Sequence, residues 1–347
     1  MQFNELGKTD IRVSKICLGT MTYGEQNSEA EAHEHMAYAV SQGINFFDTA
    51  EMYPVPPLEH TQGKSEEFIG TWLKKTGKRK EIILATKVAG PGMMPYLRGG
   101  AQLIPKQINA ALDSSLERLQ TDYIDLYQIH WPARNTNYFG PLGYKHNEAE
   151  AISSDVSIME DAYACLVKAV EQGKVRHLGI SNETPWGAMQ YQLLAQKNSW
   201  PSMVSIQNSY SLLNRTYEIG LAEVSYREHM GLLAYSPLGF GVLSGKYINN
   251  SPADARLTLY ERFTRYSNKE GKSATAAYVN LAREYGYSPT QLALAFINTR
   301  PFVTANIIGA TTMQQLKENI DSSNVELTNE VLEKIECIHQ QQPNPCP

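Results

Sequence analysis

The stretch EIILATKVA, residues 81–89, decides how this chain folds. It is apolar at nearly every position rather than at every second one, a pattern suited to a strand in a sheet covered on both faces. Near its end stands Lys87, and an ammonium group in such a strand is costly to bury without a partner. Working outward, strand-like runs recur: KICLGT (15–20), INFFDTA (44–50), YIDLYQIHW (123–131), VRHLGISN (175–182), MVSIQNSYS (203–211), GLLAYSPLG (231–239) and FVTANIIGA (302–310). Segments of helical period lie between them. In 157–173, for example, Ile158, Ala162, Cys165, Leu166, Ala169 and Val170 fall on one predicted face. Ser288 and Pro289 read as the N-cap and first-turn proline of a helix through QLALAFI, and Gly43, Gly77 and Gly173 stand where helices should stop.

Eight such strands alternating with helices predict an α/β fold, a closed (β/α)8 barrel of the TIM type. An open doubly wound sheet is the competitor. Against it, the first strand runs into LGTMTYGEQ, without the G-x-G-x-x-G turn that such a sheet places against a pyrophosphate. No repeat, linker or composition break interrupts residues 1–347, so a single domain is expected. The surplus over a minimal barrel falls in an N-terminal hairpin at 1–14 and long βα loops at 53–63, 90–104 and 132–156. A segment at 240–272 and extra helices near 273–286 and 327–339 complete it.

Bulk properties narrow the function. Of the 347 residues, 42% are hydrophobic and 19% charged, which suits a large core. A net charge of −5 carries no footprint for nucleic acid or an anionic membrane surface. MQFNELGKTD lacks the apolar stretch of a signal peptide, and the uncharged run from Gly231 is short and broken by Pro237, so no membrane span is expected. Cys17, Cys165, Cys337 and Cys346 show neither metal-ligand nor disulfide spacing; reduced thiols in the cytoplasm, with Cys17 as a small hydrophobe, are expected. No metal site is predicted, and the absence of an evident apolar stripe favours a monomer.

In a barrel of this kind the C-terminal strand ends share one mouth. Asp48 and Tyr53 follow the second strand, Lys87 lies in the third and His130 in the fourth. Ser181 and Asn182 follow the fifth, Gln207 comes with the sixth, Tyr235 and Ser236 with the seventh and Gly309 with the eighth. Each has an ordinary reading alone, as a turn cap or a hydrogen-bonded core group. Four of them together make a specific chemistry available. A phenol is too weak an acid to release its proton near neutral pH, and a neighbouring cation lowers its pKa. Lys87 suits that cation, Asp48 its anchor, and His130 a group that orients a carbonyl oxygen, leaving Tyr53 as general acid. The side-chain amides of Asn182 and Gln207 suit a carboxamide. In GATTMQQLKEN a glycine and two hydroxyl residues open a helix toward an anion, with Thr311 or Thr312 serving equally well as a plain N-cap. Lys246 and Arg256 read locally as solvated charges.

DTAEMY, the lysine of ATKV, YQIHWP, ISN, SIQNSYS, AYSPLGFGVLSGKY and IIGATTMQQLKENI occur in an order and spacing that resemble the aldo/keto reductase superfamily across essentially the whole chain. The long loops make the pattern similar to its bacterial Tas-type branch. The resemblance implies an oxidoreductase that binds NADP(H) in extended form and reduces an aldehyde or ketone to an alcohol, with a small-molecule carbonyl as substrate. It puts the catalytic residues at Asp48, Tyr53, Lys87 and His130. Carboxamide contacts fall on Ser181, Asn182 and Gln207, with Tyr235 against the nicotinamide ring and Gly19, Thr20 and Met21 beside it. The pyrophosphate falls to Ser236, Leu238, Gly239 and Lys246. The adenosine end falls to Gly309, Thr311, Gln315, Glu318 and Asn319, with Arg256 for the 2′-phosphate.

Two insertions depart from shorter relatives: PVPPLEHTQ after Tyr53 and ARNTNYFGPLGYKHNEAEAISSD after Pro132. Both are expected to overhang the mouth and shape access. Their neighbourhood holds Trp131, Tyr138, Phe139 and Tyr144, which either line an apolar pocket or pack the loops down. Two other functions compete: a nucleotide-sensing NADPH-binding module with slow turnover, and a Schiff-base aldolase acting through Lys87.

Overall fold

A computed structural model of the protein describes residues 1–139, 142–145 and 152–347. Part of the expected 132–156 loop, at 140–141 and 146–151, lies outside the described residues. The chain opens with an antiparallel hairpin, β1 (Phe3–Glu5) and β2 (Arg12–Ser14). Eight parallel strands follow: β3 (Ile16–Gly19), β4 (Phe46–Asp48), β5 (Ile83–Val88), β6 (Ile124–Ile129), β7 (Val175–Ser181), β8 (Met203–Ser209), β9 (Gly231–Tyr235) and β10 (Val303–Ile308). They close into a barrel in the order β10-β3-β4-β5-β6-β7-β8-β9, with β10 pairing to both β3 and β9. This is the (β/α)8 architecture with its N-terminal hairpin.

The outer layer is α1 (Glu29–Ser41), α2 (Lys64–Thr76), α3 (Pro105–Leu119), α4 (Ile152–Glu171), α5 (Pro185–Asn198) and α6 (Leu221–Glu228). It continues with α7 (Arg256–Leu259), α8 (Lys269–Glu284), α9 (Pro289–Asn298), α10 (Met313–Asp321) and α11 (Asn329–Gln341). Local chemistry sets many of the ends. Ser28 and Glu31 form a reciprocal capping box on α1, and Ser288 caps α9 just before Pro289. Gly77 ends α2 at φ 69°, in the left-handed region that favours glycine. In α4, Ala162, Cys165, Leu166 and Ala169 are buried as the periodicity predicts, but Ile158 is 42% exposed. The buried stripe there runs through Met159 instead, one position round the helix. No helix among the described residues is long and apolar enough to cross a membrane.

Strand alternation sorts the core into two layers. Leu18, Phe47, Leu84, Tyr127 and Ile180 point outward into the large cluster beneath the helices. Cys17, Phe46, Ala85, Leu126, Leu233 and Ala305 point inward, where Leu6, Ile11 and Val13 from the hairpin join them. Two residues further along four of these rows, the chemistry changes. Phe46 is followed by Asp48, Ala85 by Lys87, Leu126 by Gln128 and then His130, and Leu233 by Tyr235. The barrel is therefore apolar at its base and polar toward its C-terminal mouth.

Candidate active site

The polar layer is built around one buried ion pair. Lys87 Nζ donates to Asp48 Oδ2 at 2.7 Å and to the Thr49 carbonyl at 2.6 Å, with both side chains nearly inaccessible to water. Asp48 Oδ1 accepts from Gln207 Nε2 at 2.8 Å and, more weakly, from Gln128 Nε2 at 3.4 Å. Gln128 fits because its register partner on β7 is Gly179, where a Cβ would come within 3.1 Å of Gln128 Cγ. Fully hydrogen-bonded on both oxygens, Asp48 is an effective anchor for a buried cation.

Tyr53 and His130 complete the cluster. The Lys87 ammonium sits 4.9 Å from the centre of the Tyr53 ring, and the His130 ring meets the same phenol edge-on at 5.8 Å. Contrary to the expectation from Lys87 alone, the Tyr53 pKa is raised from 10.0. Burial acts first and favours the neutral phenol; Lys87 opposes it, but Asp48 and Tyr235 add to the rise. Lys87 also ends higher than usual: burial would lower it, and Asp48 and Tyr53 together outweigh burial. Burial and then the neighbouring Lys87 hold His130 well below its ordinary value, so the imidazole is neutral, and its Nδ1 has no partner among the described residues.

The His130 shift has a consequence for stability. A histidine kept neutral in the fold takes up its proton more readily once unfolded, so its contribution is full above about pH 6.5 and declines as the pH falls below that. His35 and His177 shift in the same direction, with burial as the first cause. For His130, buried and shifted furthest, the expected slope is up to about 1.4 kcal/mol per pH unit; the smaller shifts of His35 and His177 add less. Urea midpoints at mildly acidic and neutral pH will check it: wild type loses stability on acidification, and His130→Gln loses less.

Asn182, at φ 52°, occupies the left-handed region that asparagine tolerates better than most residues. Its side chain is held on three sides: Nδ2 donates to the His130 carbonyl at 2.9 Å and to Ser181 Oγ at 3.0 Å, and Oδ1 accepts from the Tyr235 hydroxyl at 2.6 Å. Ser181 in turn donates to the Gln207 carbonyl at 2.7 Å.

Above this layer lies a cavity of about 1060 Å³. Asp48, Tyr53, His130, Asn182, Gln207 and Tyr235 line it, and Gly19, Thr20 and Met21 form a neighbouring edge. Lys87, Ser181 and Gly239 lie behind its surface. The cavity continues past Ser236 and Leu238 to Lys246 and Arg256, and along α10 to Gly309, Thr311, Gln315, Glu318 and Asn319. At the start of α10, Thr312 is the N-cap, taking the Gln315 N–H at 3.2 Å. The Gln315 side chain accepts the Thr311 N–H at 3.0 Å, Asn319 donates to the Gly309 carbonyl at 3.0 Å, and Glu318 accepts from Ser288 at 2.6 Å. Of the loop aromatics, Trp131 and Phe139 line the cavity; Tyr144 is exposed.

Lys246 and Arg256 have no carboxylate within ion-pair distance among the described residues. Burial is the first cause of lowered pKa values at both, and Arg256 further lowers Lys246. Two half-buried cations left facing one another fit an anionic group, such as a cofactor phosphate, in the same cavity. The sequence reading overlooked Gln128 and a buried carboxylate, Glu51, although alternation from Leu126 put Gln128 on the inner face.

The aldo/keto reductase family model matches residues 15–340. The chain is 51% identical to Protein tas of Escherichia coli (strain K12), with all of both chains covered. It is 33% identical to the uncharacterized oxidoreductase YrpG of Bacillus subtilis (strain 168), covering 96% of this chain and 94% of the other. With L-glyceraldehyde 3-phosphate reductase of Escherichia coli (strain K12) it shares 30% identity over 93% of this chain and 88% of that one. A closed parallel barrel with an ion pair in its mouth and a match over nearly its whole length make this chain a member of the aldo/keto reductase family.

Proposed function

We propose that the protein is an NADPH-dependent carbonyl reductase, converting an aldehyde or ketone to the corresponding alcohol. The observation that carries this reading is the buried Asp48–Lys87 pair beneath Tyr53 and His130, on the floor of a cavity that extends to two cations without carboxylate partners. When bound, NADPH supplies the hydride. The chain's own residues handle the oxygen. The raised pKa of Tyr53 keeps its proton in place through neutral pH, ready for delivery to the carbonyl oxygen. Lys87, fixed by Asp48, stabilises the phenolate left after transfer, and the neutral His130 ring orients the oxygen. Gln207 commits its amide N–H to Asp48 and keeps its oxygen for a carboxamide. Lys246 would take the pyrophosphate and Arg256 the 2′-phosphate, with Gly309, Thr311, Gln315, Glu318 and Asn319 around the adenosine.

A relative named for reducing L-glyceraldehyde 3-phosphate supports the reaction class. Two facts oppose a Schiff-base role for Lys87: its amine is tied to a carboxylate, and its pKa is raised, which leaves little free amine to attack a carbonyl. Titration with NADPH and NADH in parallel, followed by intrinsic fluorescence, tests the reading. NADPH is expected to bind at least about tenfold more tightly, the worth of one good charged contact. Nicotinamide absorbance should then fall when an aldehyde is added. Tight NADPH binding with no turnover across a carbonyl panel would support the sensing module, and no binding would overturn both.

A further inference from the structure

The loop between β5 and α3 is built as a rigid wall beside Tyr53. Its start is pinned by Trp131, whose Nε1 donates to the Pro91 carbonyl at 3.0 Å. Its far end is pinned by Arg98, which reaches Glu51 through two contacts, Nη1 to Oε2 at 2.5 Å and Nη2 to Oε1 at 2.9 Å. Glu51 is fully buried and also accepts the Ala89 N–H at 2.7 Å, so one carboxylate ties the exit of β5 to the returning loop. Arg98 makes this contact from φ 52°, a conformation that costs any residue bearing a Cβ, and is followed by Gly99 and Gly100, also at positive φ. Local strain held in place by a buried ion pair marks a structure built for position.

Between the two pins stand Met93, Met94 and Tyr96, all lining the cavity. Met94 and Leu97 belong to one small apolar cluster with Met52, Trp131 and the ring of Tyr53 itself. The loop's only cation is spent on Glu51. The face that this loop itself turns toward the cavity is therefore apolar apart from a Tyr96 hydroxyl that lacks a partner among the described residues, and the cavity's cations, Arg262 among them, come from other segments.

We propose that loop 90–104 is the subsite for a bulky apolar substituent on the carbonyl substrate, an aryl or branched alkyl group, and that Arg98 is the positioning residue that sets it by latching the loop to Glu51. This rests on the carbonyl-reductase reading. The substrate's carbonyl lies at Tyr53 and its apolar body lies along Met93, Met94 and Tyr96. A compact phosphorylated aldehyde gains nothing from this wall.

Steady-state kinetics with NADPH on 2-naphthaldehyde, propanal and glyceraldehyde 3-phosphate test the assignment. Wild type is expected to show its highest kcat/KM with the naphthaldehyde. Arg98→Leu should raise the KM for naphthaldehyde about tenfold more than that for propanal, and Arg98→Lys should recover part of the difference. Because Arg98→Leu leaves Glu51 buried without its cation, Met93→Asp serves as a second variant, at a position 44% exposed. It too should penalise the naphthaldehyde selectively. NADPH affinity, measured in each variant, separates the outcomes. Equal KM changes for large and small aldehydes, or a wild-type preference for the phosphorylated aldehyde, overturn the subsite while leaving carbonyl reduction intact. Failure to reduce any of the three removes the reading on which it rests.

Discussion

Replacing Tyr53 with phenylalanine is expected to lower kcat for carbonyl reduction by about 10²- to 10⁴-fold, the usual contribution of a positioned proton donor. NADPH affinity and folding should change little. The ring is already packed in the apolar cluster at the mouth and against His130, and phenylalanine keeps that packing. Only the hydroxyl is lost. Stopped-flow turnover together with a cofactor titration separates the two quantities. A variant retaining most of its kcat would remove Tyr53 from the role of proton donor and leave His130 as the remaining candidate. The pH profile carries the same information: a raised phenol pKa means that reduction in the wild type should decline only on the alkaline side, as the phenol loses its proton.

The second large effect concerns Lys87, whose side chain is wholly enclosed. Lys87→Met removes one half of a buried ion pair and leaves Asp48 in the barrel interior with amide donors alone among the described side chains, Gln207 and Gln128. Loss of a partner in this situation costs about 3–5 kcal/mol of stability, whereas replacing both partners with neutral groups is often tolerated. The double variant Asp48→Asn/Lys87→Met should therefore regain much of the stability and none of the activity. Urea unfolding of the single and double variants, beside turnover, gives the comparison. If the single variant were as stable as wild type, the pair would not be holding the fold in the way its 2.7 Å contact implies.

Much of this molecule was legible from residue order, for reasons that can be named strand by strand. In β5, β6 and β10 almost every side chain is buried, and a strand covered on both faces must be apolar at successive positions. The departures were then informative. A charged or amide side chain at the end of such a row, as with Asp48, Lys87 and Gln207, has few places to go except the mouth of a barrel. One weaker point was α4, where Ile158 was assigned to the buried face and proved exposed. Ile158 and Met159 are adjacent and both apolar, so periodicity by itself does not decide which of the two faces the core.

Glu51 and Arg98 were not legible. They lie 47 positions apart and carry no motif that joins them; their pairing exists because loop 90–104 folds back over the β4 exit. Gln128 could be placed inside the barrel by alternation, but its approach to Asp48 depends on the missing side chain of Gly179 across the β6–β7 register.

Residue order was enough for the barrel and for the set of groups gathered at one end of it, because continuous apolar strands alternating with helical segments are a local signal that repeats eight times. It was not enough for the sign of the Tyr53 shift. A lysine nearby argues for a more acidic phenol, yet the net effect is the reverse, since burial and the Asp48 charge together outweigh the cation. How much water a group loses, and which charges remain beside it, are properties of the packed whole.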